Sequence, residues 1–329
     1  MRVKKYLILK QKVNIIPRYI KMKCYFTCST LLILICIIGN SCMKQDLSND
    51  IEKLLQDIPA LNKKIANEGL NLSNIVIAQK TIDGLIVNNS TWKNVDLKSV
   101  EGVGVVFKGC TFEEFNIIES NILRCTFENC IFKKNKFASS NLSGSIIKEC
   151  HFEDGSLNDL DCNDIVIDQL NMVDIKLNKV VSYDAKIKSV KLDKCSIENT
   201  GFARADIENV KILNTKINVL NFAGCKISKS DFFIQGISID FEECTIVDCI
   251  FNGTGSVSWL DFTKVTGNKI KFENFNEIYS FGFTNAAIDT LVIRNTNADW
   301  IVFYDAKISN ALFENSQFIS DRYDGATLT

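Results

Sequence analysis

The residues of this sequence that could carry chemistry are thirteen cysteines and a single histidine, His151. One histidine excludes catalytic or metal chemistry that is built on several imidazoles. The sequence contains no Cys-x-x-Cys pair, no phosphate-binding loop and no Gly-x-Ser-x-Gly motif. His151 precedes the apolar Phe152, so we expect it to point outward. The sequence therefore predicts no enzyme, with no catalytic, cofactor-binding or metal-binding residue and no small-molecule substrate.

Residues 1–42 have the character of an export signal. They hold eight basic residues and no acidic one, and residues 25–38 form a mostly apolar run of 14. This run is shorter than the about 20 residues that a spanning helix needs, and it has the length of a secretory hydrophobic region. Translation from Met22 would give a compact signal, so we expect residues 1–21 to reflect an early start codon.

Small residues precede Cys42 at the end of this run. The segment Gly39-Asn40-Ser41-Cys42 resembles a bacterial lipobox, although leucine is usual at the position of Gly39. The resemblance implies cleavage before Cys42, diacylglycerol and palmitate chains on this residue, and a membrane-anchored lipoprotein in the bacterial cell envelope, periplasmic or surface-exposed. An uncleaved anchor helix and a cleaved signal without lipid remain open as alternatives.

The charge of the remaining chain argues against a nucleic-acid partner. The whole chain contains 38 basic and 39 acidic residues. Subtracting the eight basic residues of the signal leaves 30 basic and 39 acidic residues, a net charge of −9 from Met43 onward. An acidic surface repels phosphates, so we expect no nucleic-acid groove.

Residues 43–70 are predicted to be a tether followed by a short capping helix. Apolar residues recur there at three- and four-residue steps, which is a helical stripe: Ile51, Leu54, Leu55, Ile58, Leu61 and Ile65. Ser48 could cap its start and Gly69 its end, and Pro59 should kink or split it. The stripe is short for the alternative, an oligomerising coiled coil.

From residue 72 onward, every fifth residue is apolar. Of the 34 positions from Leu72 to Ile237, 32 are apolar, whereas a content of 46% would give about 16. Neither a helix nor a flat strand sustains a period of five, and a short fixed repeat indicates a solenoid. The phase shifts by one residue at Phe241 and becomes regular again from Phe283. We expect a bulge or a longer corner at residues 253–256, Gly-Thr-Gly-Ser.

A second series, two residues before each large apolar residue, is often small. Units such as Ala-Asp-Ile-Glu-Asn at residues 205–209 and Cys-Thr-Phe-Glu-Asn at residues 125–129 resemble the pentapeptide-repeat family. The resemblance implies an all-β fold, a right-handed quadrilateral parallel β-solenoid. The same residue types recur at a spacing of 20 residues, that is, every four pentapeptides, which independently supports four pentapeptides per coil. We assign residues 71–320 to this solenoid of about 12 coils and residues 321–329 to a polar tail.

The cysteines follow the same register. Eight of the nine in the body occupy the small inward position, and Cys162 occupies a large one. We therefore predict buried, reduced thiols; a disulfide or a soft metal in this ladder is the alternative. Large residues fill the small position in the middle repeats, so these coils should be wider or less regular: Leu160, Ile165, Leu170 and Ile175.

These observations predict a non-enzymatic, lipid-anchored envelope protein whose flat faces bind another macromolecule or serve as structure. The expected partners are the membrane, through the lipid anchor, and a protein that the sequence does not identify. Two alternatives remain. The first is a secreted factor that acts on a host cell. The second is a DNA mimic that binds a topoisomerase, as some members of the resembling family do.

Overall fold

The computed structural model describes residues 53–66 and 69–329. The predicted signal, residues 1–42, and its lipidation site Cys42 lie outside this part of the chain. The described residues contain the helix α1 (Ile58–Ile65) and 28 β-strands in a single parallel sheet. In the described ranges, no helix is both long and apolar enough to cross a membrane.

The strands are short and follow one another closely along the chain. They are β1 (Leu72–Ala78), β2 (Ile86–Asn88), β3 (Thr91–Lys98), β4 (Glu101–Val103), β5 (Val106–Lys108), β6 (Thr111–Glu113), β7 (Asn116–Ile118), β8 (Asn121–Leu123), β9 (Thr126–Glu128), β10 (Ile131–Lys133), β11 (Lys136–Asn141), β12 (Ile146–Asp161), β13 (Val166–Val181), β14 (Lys186–Asp193), β15 (Ser196–Glu198), β16 (Thr200–Gly201), β17 (Asp206–Glu208), β18 (Lys211–Asn221), β19 (Lys226–Ser228), β20 (Asp231–Asp240), β21 (Thr245–Asp261), β22 (Thr266–Glu273), β23 (Glu277–Gly282), β24 (Ala287–Arg294), β25 (Asn297–Val302), β26 (Lys307–Glu314), β27 (Gln317–Arg322) and β28 (Thr327–Leu328).

Strand pairing confirms the predicted solenoid with four pentapeptides in each coil. Ile147 pairs in parallel with Ile167, which pairs with Ile187, and the column continues through Ile207 to Ile227. The described chain makes about 13 turns of this kind, close to the 12 expected. Each coil rises by one strand spacing, about 4.8 Å, so residues one coil apart in the sequence are neighbours on the surface.

Left-handed backbone at every fifth residue turns the chain. Among the described residues, thirty-five non-glycine residues and seven glycines have positive φ, and they occupy the position just before the small inward residue through most of the solenoid. A non-glycine residue in this region costs on the order of 1–3 kcal/mol, least for Asn and Asp. Eighteen of the 35 are Asn or Asp, which explains why the polar positions of the described repeats are rich in these residues.

The inward positions form a continuous apolar core. Phe112, Phe132 and Phe152 stack along one column, with ring centroids 4.7 Å and 4.1 Å apart. Identical rings at strand spacing meet face to face, and edge-to-face neighbours from the adjacent columns fill the gaps between them. This stacking, together with the backbone ladder, explains why the five-residue period can be read so clearly in the sequence.

The helix α1 covers the first coil, and Asn62 extends the ladder to it. Its amide nitrogen donates to the carbonyl of Gly84 at 2.7 Å, and its amide oxygen accepts from the backbone nitrogen of Ile86 at 2.9 Å. A side chain thus satisfies edge groups that would otherwise lack a strand partner. The helical stripe is split before Pro59, as predicted: residues 53–54 are helical, and α1 starts anew at Ile58, where Asp57 caps it and Pro59 lies in its first turn. The expected cap Ser48 lies outside the described residues.

The phase shift occurs a few residues earlier than the periodicity indicated. Ile212 pairs with Phe232, but Thr215 pairs with Ile234, so this coil is one residue shorter than a regular one. As a result Ile237, which continues the inward series in sequence, is 54% exposed. The shift is reversed at the predicted bulge: Ile234 pairs with Gly253, whereas Gly236 pairs with Val257. The expectation of an irregularity at residues 253–256 is confirmed.

The middle coils enclose an apolar cavity of about 90 Å³. Its walls belong to the coils between Phe137 and Phe222, and they contain the large residues that replace small ones, such as Leu160 and Ile165. Cys162 and Ser182 stand in the column that holds Phe202 and Phe222 in the following coils. Two small side chains between Leu142 and the phenylalanines of this column leave the space unfilled. The predicted irregularity of these middle coils is therefore a gap in the packing of the core.

The ladder continues past residue 320. The strand β27 ends at Arg322, and β28 pairs with β26, so residues 321–329 continue the last coil rather than forming a separate polar tail. Phe313 and Phe318 keep their places in the inward series and contact each other, with ring centroids 5.8 Å apart. No described coil packs over them, so Phe313 is still 36% exposed.

Candidate interaction surface

Of the two residues singled out by the sequence, His151 is the one that the structure describes. Cys42 lies outside the described residues, and its lipidation stays a prediction. His151 lies on the outer surface, where its Nδ1 is 3.1 Å from Nδ2 of Asn171 and its Nε2 is 3.9 Å from a carboxylate oxygen of Glu153. Its neighbour Cys150 faces the core, so the two side chains do not form a Cys-His pair.

The cysteines are packing residues of the core. All nine in the described ranges are buried and free of disulfides. Eight of the nine thiols donate to nearby carbonyls, as Cys130 does to Phe107 of the preceding coil, with sulfur and oxygen 3.4 Å apart. Burial raises the pKa of Cys162 to about 12 and that of Cys125 to about 11. Within the described residues, no group of three or more His, Cys, Asp or Glu side chains could hold a metal ion.

The outer surface carries charge in alternating ladders. One outward column reads basic, acidic, basic, acidic, basic, acidic in six consecutive coils, with each member paired in register to the next: Lys108, Glu128, Lys148, Asp168, Lys188 and Glu208. Lys108 lies 3.1 Å from Glu128, and Lys188 lies 3.6 Å from Glu208. Exposed pairs of this kind contribute about 0–1 kcal/mol each. Their larger effect is that the acidic charges of this column are neutralised locally.

One corner of the solenoid changes character along its length. The residues at this corner are left-handed in seven consecutive coils: Gln79, Ser99, Glu119, Ser139, Asp159, Lys179 and Asn199. From the next coil onward the same column does not have positive φ, and its residues are Val219, Ser238, Trp259, Ser280, Trp300 and Ser320. Bulky and β-branched side chains are disfavoured in left-handed backbone. The extended backbone therefore permits Trp and Val at this corner.

This column and its neighbour present an aromatic row, which we define as Trp259, Tyr279 and Trp300. Trp259 pairs in register with Ser280, which pairs with Trp300, and Tyr279 directly precedes Ser280. The row thus has one aromatic side chain in each of three consecutive coils. The three side chains are exposed by 52%, 48% and 51%, respectively. Nothing in the described residues covers them from outside.

Polar groups surround the aromatic row without covering it. The adjacent carboxylate of Glu277 raises the pKa of the Tyr279 hydroxyl. The guanidinium of Arg322 lies 6.0 Å from the ring centroid of Trp300. Among the residues that the structure describes, the hydroxyls of Ser238, Ser280 and Ser320 make no side-chain hydrogen bond, although all three alternate with the tryptophans. They can serve an external ligand.

Sequence reasoning missed the aromatic row. Trp259 and Trp300 stand just before the inward residues Leu260 and Ile301, so they lie outside the apolar series that the period of five detects. The coil from Trp259 to Ser280 is one residue longer than the coil from Ser280 to Trp300, and the irregular segment hides this difference. The sequence feature that could have indicated the aromatic row was the presence of a tryptophan at an outward position in two alternate coils.

The comparison with protein families supports the repeat. Residues 145–222 match the model described as pentapeptide repeat region. This chain carries pentapeptide repeats. The matched segment lies in the middle coils, whereas the five-residue register extends on both sides of it. No protein of curated function is significantly similar in sequence.

Several solved structures are similar to this chain at low sequence identity. HetL, a pentapeptide repeat protein involved in heterocyst differentiation regulation in the cyanobacterium Nostoc sp. strain PCC 7120, is 9% identical, with 82% of this chain and 95% of HetL covered and a TM-score of 0.42. A trypsin-treated form of QnrB1, a plasmid-mediated fluoroquinolone resistance protein, is 14% identical, with coverage of 55% and 82% and a TM-score of 0.42. PfbA, a surface adhesin of Streptococcus pneumoniae, is 10% identical, with coverage of 84% and 87% and a TM-score of 0.32.

Proposed function

We propose that this chain is a non-enzymatic lipoprotein of the bacterial cell envelope, anchored at Cys42, whose solenoid faces bind another macromolecule. The pentapeptide-repeat β-solenoid suggests a structural or interaction role. The anchor, the envelope location and the partner belong to the proposal. The segment Gly39-Asn40-Ser41-Cys42, which follows a short apolar run, supports the anchor.

The aromatic row is the observation that carries the binding role. An exposed aromatic side chain on a charged surface contributes little to folding, and exposed apolar patches mark interaction sites. The solenoid offers three such side chains in consecutive coils, while the inward series forms its core. A surface role explains this arrangement better than catalysis does, since the acid, base and thiol groups described above do not converge.

A secreted factor that acts on a host cell has the same surface and differs only in lacking the anchor. A DNA mimic is less well supported. It requires a dense acidic stripe, and the column from Lys108 to Glu208 alternates in sign instead. We therefore retain the lipid-anchored form as the proposed function.

Metabolic labelling tests the anchor directly. Cells expressing the full chain are grown with labelled palmitate, and membranes are separated from soluble fractions. We expect label in the membrane-bound protein, because two or three acyl chains give stable anchoring. Cys42→Ser should abolish the label and release the body, whereas Cys36→Ser serves as the matched control. A wild-type chain that takes up no label and is soluble after export would contradict the anchor.

A further inference from the structure

The aromatic row differs from the surface that a globular protein partner usually selects. Binding energy between proteins is concentrated in well-packed pockets at the centre of an interface, where water is excluded. Here Trp259, Tyr279 and Trp300 project from a sheet, are about half exposed, and are separated by one coil each. A linear and periodic set of platforms matches a linear and periodic ligand.

The chemistry of the row selects a ligand that is apolar on one face and hydroxylated at its edge. The flat face of an aromatic ring attracts the weakly positive hydrogens of C–H groups. Ser238, Ser280 and Ser320 alternate with the tryptophans along the column, and their hydroxyls make no side-chain hydrogen bond within the described part of the chain. A pyranose ring has this dual character, because its axial C–H groups form an apolar face and its hydroxyls lie around the rim.

The spacing adds a geometric condition. Trp259 and Trp300 occupy one column two coils apart, so their backbones are separated by about 9.6 Å. In an extended β-1,4-linked polysaccharide, successive rings alternate in orientation, and the same face recurs every second ring. A tryptophan in every second coil, with Tyr279 offset in the coil between them, fits this alternation.

The charge of the row disfavours ionic polymers. The column itself contains Val219 and otherwise only serine and tryptophan. The charged groups beside the row are the carboxylates of Glu277 and Asp299 and the guanidinium of Arg322, so the row has no basic cluster. Nucleic acids and anionic lipid surfaces require basic clusters. A neutral polymer does not need ion pairs with the protein, so its binding free energy comes from stacking on the aromatic rings.

We propose that the aromatic row binds an extended, neutral, β-1,4-linked polysaccharide through stacking on Trp259 and Trp300. This inference rests on the proposed function, since it names the macromolecule that one solenoid face would bind. Tyr279 and the serines of the column position the chain between the two platforms.

Affinity electrophoresis of the full chain, purified in detergent, tests the inference. The native gel contains hydroxyethylcellulose or glycol chitin, which are β-1,4-linked, or dextran, which is not. We expect retardation by at least one β-1,4-linked polymer and none by dextran. Trp259→Ala and Trp300→Ala should each weaken the apparent affinity on the order of tenfold. Tyr304→Ala, a side chain exposed by 48% in a different column, should leave it unchanged.

A second readout needs no variant. Two of the three tryptophans are exposed, so cellohexaose or chitohexaose should shift the fluorescence emission of the wild-type protein to shorter wavelength. Two results would overturn the inference. One is the absence of retardation in both β-1,4-linked gels, which is also the result expected if the row binds a protein. The other is retardation that persists in the Trp259→Ala/Trp300→Ala double variant. Palmitate incorporation at Cys42 is measured separately, so the failure of this test leaves the anchor standing.

Discussion

At the scale of single residues, position in the pentapeptide decides what a side chain can do. A cysteine in an exported protein usually forms a disulfide, yet here the small inward position makes it a packing residue. Cys110, Cys130 and Cys150 succeed one another at strand spacing, about 4.8 Å, whereas disulfide geometry brings Cβ atoms to about 3.8 Å. The nine free thiols of the described chain agree with the packing interpretation drawn from the sequence.

Thiol labelling tests this interpretation. A maleimide reagent should label few or none of the nine body cysteines in the native chain and all nine in denaturant without reductant, as mapped by mass spectrometry of peptides. Cys150 makes the test informative, because the neighbouring thiol of Cys130 lowers its pKa. Acidity alone would make Cys150 reactive, whereas burial predicts that it stays unlabelled with the others. Rapid native labelling, or thiols that remain blocked in denaturant, would refute the packing role.

At the scale of elements, the sequence predicted the repeat well and its interruptions less well. The inward series is regular because each buried side chain stacks on its counterpart one coil earlier. Residues that occupy equivalent places in the sequence repeat are therefore in contact in the structure. Ile237 departs from the inward series and is exposed. Hydropathy does not reveal that the coil from Thr215 to Ile234 is one residue shorter than a regular one. Glycines near residue 253 did mark the compensating bulge, because a bulge needs a close approach of backbones.

The candidate surface was harder to predict than the fold. The net charge of −9 predicted no basic groove, and the described column from Lys108 to Glu208 alternates in sign. The location of Trp259 and Trp300 on one column, however, depends on coil lengths that differ by one residue in an irregular segment. A different length of either coil would place the tryptophans on different columns. Strand register in three dimensions had to be known before the aromatic row could be recognised.

The cavity of the middle coils gives a prediction about packing. Ser182 stands where later coils have Phe202 and Phe222, and it borders the cavity of about 90 Å³. Ser182→Leu should place apolar atoms in this space and raise the free energy of unfolding by about 0.5–2 kcal/mol. Thermal or urea unfolding followed by circular dichroism measures the change.

The matched control for this variant is Ala205→Leu, which adds similar volume at a fully packed inward position. Overpacking there should lower the free energy of unfolding by about 1–3 kcal/mol. If Ser182→Leu destabilised the protein as strongly as Ala205→Leu does, the cavity would not be available space in solution.

At the scale of the whole solenoid, the account depends on one geometric claim. Each coil advances the chain by one strand spacing, so the outer columns bring together residues that are far apart in the sequence. The alternating charge ladder from Lys108 to Glu208 and the aromatic row both follow from it. With a different rise or coil length, neither the charge ladder nor the aromatic row would form, and the proposed binding role would have no site.

Distance measurement between spin labels tests that claim most directly. Lys108→Cys and Glu208→Cys lie on one outward column, five register steps apart. In a chain that starts at Met43, double electron–electron resonance should give a narrow distribution at about 24 Å between their backbones, after allowance for the label linkers. The pair Lys108→Cys and Lys188→Cys should be shorter by about 4.8 Å, and the same chain without added cysteines should give no signal from the buried thiols. Equal distances for the two pairs, or a broad distribution, would contradict the solenoid and the surfaces built on it.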